Sequence, residues 1–182
     1  MVESILFLDL ATRMGWCEGK PGGAPKWGAE FFAEEGSDNP AVFAGAFRWV
    51  VKRLEASPRP RTIVYEAPLD PRHMGQRTTR ATGLRLIGLP ACVEAAAYLM
   101  RLYDVQEARA DDIRRFVLGR RAKKAEAKPL VIRAVTNLGF PTNDPDAADA
   151  IAGWLYACHL ADPENAHDVA PLFAAARNGK RT

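Results

Sequence analysis

A short apolar run that carries an acid constrains this chain more than any other stretch. Ile5-Leu6-Phe7-Leu8-Asp9-Leu10 leads into Ala11-Thr12-Arg13-Met14-Gly15-Trp16. An unbroken apolar run this short, followed by a glycine, predicts a strand covered on both faces. Asp9 lies inside it. A carboxylate in such a place is costly unless it is paired or bound to a metal, so the question becomes which later residues share that cost.

The rest of the chain supplies alternating strand and helix signals. Gly15-Trp16-Cys17-Glu18 reads as a second strand, residues 19–25 as a Gly- and Pro-rich turn, and residues 27–33 as a third strand. Ser37-Asp38-Asn39-Pro40 is helix-start chemistry, and Val42, Phe43, Phe47, Val50, Val51 and Leu54 recur at helical spacing before Pro58 and Pro60. Residues 61–66 form a fourth strand stopped by Pro68, with Glu66 at its end. An arginine-rich loop (69–78), a helix over 79–102 that holds Pro90, and a strand over 104–108 follow. A short helix starts at Asp111 or Asp112, another covers 125–138 with Gly139 as its cap, and Asp144-Pro145 opens a last helix through about His159. The prediction is an α/β fold, one domain over residues 1–162, with a C-terminal tail at 163–182 that is weakly helical at most.

Length and charge narrow the function classes. A chain of 182 residues, 48% hydrophobic, fits one sizeable core. No apolar run reaches membrane-spanning length and no secretory leader is visible. Cys17, Cys92 and Cys158 are widely spaced and in apolar surroundings, which reads as reduced packing residues of a cytoplasmic protein. The net charge is +3, yet residues 114–128 alone carry +6, leaving −3 elsewhere. A second stretch, residues 71–93, holds Arg72, Arg77, Arg80 and Arg85 with no acid. Two basic patches on a mildly acidic body point to a polyanionic partner.

Three places compete to join Asp9. Glu66 ends a strand expected beside the first, the usual location of functional groups in α/β sheets. Asp146 and Asp149 are three residues apart on one helix face. Around them the helix is small and apolar (Ala147, Ala148, Ala150, Ile151, Ala152, Gly153), which allows close approach to the sheet. An Asp in the first turn also suits the helix macrodipole, but that benefit fades by Asp149. Four carboxylates in one site repel one another, and two divalent ions would neutralise them. Oxygen ligands of this kind suit Mg²⁺ or Mn²⁺, and such a metal pair can serve phosphodiester hydrolysis.

These residues together resemble the RuvC family of Holliday junction resolvases, in a divergent, phage- or prophage-like form. The resemblance is carried by Asp9 in a first strand leading to Gly15-Trp16, by Glu66, by Asp146-Ala147-Ala148-Asp149-Ala150 opening the last helix, and by the Lys-bearing segment 122–131. It implies an RNase H-like fold, a five-stranded mixed sheet with one antiparallel strand flanked by helices. It also implies a homodimer and Mg²⁺-dependent (or Mn²⁺-dependent) paired nicking of four-way DNA, with two ions per active site. By position, Asp9, Glu66, Asp146 and Asp149 would be metal ligands and Lys128 would lie near the scissile phosphate. Arg114, Arg120, Arg121, Lys123 and Lys124 would hold DNA backbone, and the loop carrying Arg72 and Arg77, with Arg80 after it, would lie near the branch point.

The chain departs from that family twice. Asp9-Leu10-Ala11 stands where the family usually has Asp-Pro-Gly, so the turn has to be built without that glycine. Leu69 stands where an aromatic wedge is common; Met74 is the alternative wedge. Two other readings share the acids: an RNase H-like nuclease for other branched DNA or RNA–DNA hybrid, and a DNA-binding module with purely structural carboxylates. A two-domain ATPase with a similar opening strand would need a longer chain than this one. His73, His159 and His167 show no ligand spacing.

Overall fold

The computed structural model describes residues 3–68, 79–120 and 124–169. Its centre is β1 (Ile5–Asp9), whose apolar residues Ile5 through Leu8 are all fully enclosed. The chain turns into β2 (Arg13–Gly19), antiparallel to β1 with Phe7 opposite Cys17 and Asp9 opposite Gly15. β3 (Lys26–Phe31) adds antiparallel to β2 on the outer edge. β4 (Thr62–Glu66) joins the other side of β1 in parallel, and β5 (Val105–Ala108) joins β4 in parallel. The order is β3-β2-β1-β4-β5, so β2 is the single antiparallel strand.

The helices make two layers. α1 (Asn39–Glu55) and α2 (Arg80–Leu99) pack together on one face, over Leu6, Leu8, Ile63 and Tyr65. α3 (Ala110–Leu118), α4 (Lys124–Asn137) and α5 (Pro145–Ala161) cover the other, over Ile5, Phe7, Cys17 and Val64. Because side chains alternate along a strand, Asp9 shares the face of Ile5 and Phe7, and Glu66 that of Val64. Both acids therefore face the α5 layer, at the carboxyl ends of two adjacent parallel strands.

Local chemistry sets the helix limits. Asp38 caps α1, its carboxylate accepting from Ala41 N at 3.1 Å, and Thr79 caps α2 by accepting from Thr82 N. Asp144 caps α5, accepting from the N–H groups of Asp146 and Ala147 at 3.0 and 3.3 Å. Two of the limits that differ from the sequence expectation have a local cause. α2 ends at Leu99 rather than at 102, because Arg101 takes a left-handed backbone (φ 57°) that a helix cannot continue through. α3 starts at Ala110 after an Arg109 cap without a side-chain bond, which puts Asp111 and Asp112 in the first turn where the dipole favours them.

The small residues of α5 let it lie almost on the sheet. A Cβ built on Gly15 would sit 2.0 Å from the Asp146 carbonyl oxygen, and one on Gly153 would sit 2.1 Å from the Phe7 ring. Next along the helix, Trp154 is fully buried, donates to Gly19 O at 3.3 Å and meets the Phe140 ring edge-on. Of the expected tail, residues 163–169 lie against this body. His167 contacts the Phe140 and Trp154 rings and hydrogen-bonds Gly23 O at 2.9 Å. No helix among the described residues is long and apolar enough to cross a membrane.

Candidate active site

Asp9 is the last residue of β1 rather than an interior one, and it is half-buried. The turn beyond it answers the missing glycine: none of Leu10, Ala11 and Thr12 has a positive φ. The turn is pinned from outside instead. Arg85 on α2 donates to Thr12 Oγ1 at 2.7 Å while its other nitrogens hold Asn39 Oδ1 and Ser37 O. One member of the second basic patch is thereby occupied in structure.

Four acids converge at the mouth between the strand ends and α5. Burial pushes the Asp9 carboxyl up to about 8, and the neighbouring charges of Glu66, Asp149 and Asp146 add to the effect, while Lys128 opposes it. Glu66 is also raised, by burial first, with Arg114 opposing and Asp149 and Asp111 adding. Asp149 is raised by burial, against the pull of Lys128 and Arg114. Glu66, Asp149, Asp146 and Lys128 all lie within electrostatic reach of Asp9. Lys128 is solvent-exposed and reaches Asp146 Oδ1 at 3.3 Å.

Two members were not legible in the sequence. Arg13, opening β2, donates from Nη1 to Asp144 Oδ1 at 2.9 Å and to Asp146 Oδ2 at 2.6 Å, and from Nη2 to Asp144 Oδ2. Its hydrogen bond holds Asp144 down at about 2. Sequence spacing cannot reveal a pair separated by 131 positions; the only signal was a lone arginine next to the acid-bearing strand. Arg114, expected on DNA backbone, also lies close enough for its charge to bear on Glu66 and Asp149.

Among the described residues no three His, Cys, Asp or Glu side chains form a ready-made metal site. The acids are neighbours without being gathered into a ligand set, and Asp146 is engaged by Arg13 and Lys128. The donor chemistry still fits a hard divalent cation: carboxylate oxygens only, with Asp9, Glu66 and Asp149 raised first by burial and then by neighbouring acids. Arg80 and Arg120 are exposed, at the start of α2 and just after α3. Arg72, Arg77, Arg121 and Lys123, with Leu69, His73 and Met74, lie outside the described residues, as does the side chain of Lys124.

No protein-family model matches the chain, and no curated protein matches it in sequence. Solved structures do match. Thermus thermophilus RuvC in complex with a Holliday junction substrate superposes with a TM-score of 0.61 at 17% identity, covering 82% of this chain and 89% of that one. Another Thermus thermophilus RuvC structure gives 0.58 at 17% identity, over 86% and 94%. The yeast mitochondrial Holliday junction resolvase gives 0.55 at 16%, over 82% and 76%. The fold is that of RuvC. At such identity the likeness is one of architecture, and the RuvC fold here is built from this chain's own pairings: the β2 hairpin, the glycine contact of Gly15 with α5, and the parallel β1–β4–β5 run.

Proposed function

We propose that this protein is a metal-dependent, structure-selective DNA endonuclease that resolves four-way junctions by paired phosphodiester hydrolysis. The observation that carries the reading is the meeting of Asp9, Glu66, Asp146 and Asp149 at one mouth of a RuvC fold. Asp9 and Glu66 would hold Mg²⁺ or Mn²⁺ from the sheet, and Asp146 and Asp149 from α5, around two ions per site. Such ions supply Lewis-acid activation of water and neutralise charge at the phosphodiester.

The chain's own groups do the rest. The sheet fixes Asp9 and Glu66 at adjacent strand ends, and the close seating of α5 brings Asp146 and Asp149 to them. At neutral pH the Asp9 carboxyl keeps its proton, so taking a cation releases that proton to solvent. Lys128 and the exposed Arg80 and Arg120 meet phosphate oxygens, with Arg72, Arg77, Arg121, Lys123 and Lys124 extending the contact. Two copies of the chain would present two such mouths, one for each nicked strand, in the cytoplasm. The nuclease unit runs through Asp162, with residues 163–169 folded back on it.

The test is purified protein with Mg²⁺ or Mn²⁺ on a labelled four-way junction, beside duplex, flap and RNA–DNA hybrid. Symmetric nicks on the junction are expected, leaving 5′-phosphate and 3′-hydroxyl ends. Asp9→Asn and Asp146→Asn are expected to bind the junction and to cleave it about a hundredfold more slowly or worse. Undiminished nicking by either variant sinks the reading, and hybrid cleavage exceeding junction cleavage redirects it to another substrate.

A further inference from the structure

Both oxygens of Asp146 are taken by cations, Oδ2 by Arg13 at 2.6 Å and Oδ1 by Lys128 at 3.3 Å. Among the described residues the ion pairs at this mouth reach Asp146 and not Asp9, Glu66 or Asp149. One acid of the four is therefore engaged, in a site whose acids are not gathered into a ligand set.

The two cations differ in hold. The Lys128 side chain is 59% exposed and its contact is long, so water and salt screen it. Arg13 is 33% exposed, always charged, and forked by Asp144 from the other side. Asp144 is itself fixed, as the cap that accepts from Asp146 N and Ala147 N. Arg13 is thus clamped against Asp146 by a residue two positions away on the same helix start.

We propose that Arg13 is a resident counter-cation on Asp146 which a divalent ion has to displace, so that the Asp144-held guanidinium sets the affinity of the site for metal. The inference rests on the metal site of the nuclease reading. Arg13 is a positioning residue, acting through Asp146. Metal uptake becomes an exchange of one cation for another rather than the filling of a bare acidic mouth.

The test is Mn²⁺ binding by the whole chain, read from the free-ion electron paramagnetic resonance signal, with thermal shift in parallel and no DNA present. Wild type, Arg13→Gln, Asp146→Asn and the double variant are compared at fixed pH and salt. Arg13→Gln is expected to bind Mn²⁺ about tenfold more tightly, and the gain to disappear in the Asp146→Asn background. Arg13→Lys keeps the charge without the fork and is expected to fall between, a reserve should Arg13→Gln not fold. Unchanged or weaker binding in Arg13→Gln, or in Arg13→Lys where that reserve is used, overturns the proposal while wild-type binding keeps the nuclease reading. Equal tightening with and without Asp146 also overturns it, because Arg13 then acts only as a distant charge. A wild type that binds no Mn²⁺ removes the nuclease reading and this inference together.

Discussion

Asp9 feels the charge of Asp146 and Asp144 accepts from its N–H, yet the two acids shift in opposite directions. Desolvation and like charges raise Asp9 to about 8, while Arg13 holds Asp144 at about 2. Between the ordinary carboxylate range near 4 and about 8, folded Asp9 keeps a proton that the unfolded chain has released. Metal-free stability is therefore expected to fall as pH rises through that window, with Glu66 and Asp149 shifted in the same sense. Asp144 works lower: its contribution is present above about 4 and is lost as pH falls toward 2. Urea unfolding in a chelator at pH 5, 6, 7 and 8 checks this. Asp9→Asn should flatten the slope, and so should saturating Mg²⁺, which favours the charged acids; a flat wild-type profile contradicts the assignment. Asp9 was legible in the sequence because a charge in an apolar run is conspicuous. Arg13 was not, because its meaning lies in a contact between residues remote along the chain.

At the scale of elements, the site depends on how α5 is seated. Gly15 leaves no room for a Cβ against the Asp146 carbonyl, which is backbone and cannot turn aside. Gly15→Ala is expected to destabilise by about 1–3 kcal/mol through overpacking, lowering the melting temperature by roughly 3–10 °C. It should also weaken Mn²⁺ binding, since the start of α5 has to shift. Gly153→Ala meets first the Phe7 ring and should cost stability with less effect on metal; equal losses of metal binding in both would refute the seating account. The elements themselves were legible from apolar period and turn chemistry, and the Ala-rich stretch after Asp146 signalled close approach. Its partner was not visible, because Gly15 looks like any strand glycine until the register with Asp9 places it under the helix.

For the whole molecule, the charge asymmetry separates into two kinds of arginine. Arg85 is directed inward, to the turn after β1, and the half-buried Arg114 lies near enough for its charge to bear on Glu66 and Asp149. Arg80 and Arg120 remain at the surface. Neutralising Arg120 or Arg80 is expected to weaken junction binding and to reduce the salt slope by about one unit per lost phosphate contact. Arg114→Gln should leave that slope unchanged and alter metal binding instead. Fluorescence titrations of a labelled junction at several salt concentrations distinguish them, and a reduced slope for Arg114→Gln returns it to the DNA-contact class. The overall α/β order was legible because strand and helix periods alternate cleanly along the chain. Which basic residues serve the partner was not, because composition counts charges without showing which way they point.

The seating of α5 against β1 and β2 also orders events in time. A ribosome extrudes Asp9 first, Glu66 later, and Asp146 and Asp149 only after the rest of the sheet has been made. A nascent or prematurely ended chain that lacks α5 therefore carries half of the acids and none of the helix that completes them. The cutting capacity proposed for this protein would await the synthesis of α5 and its seating on the sheet.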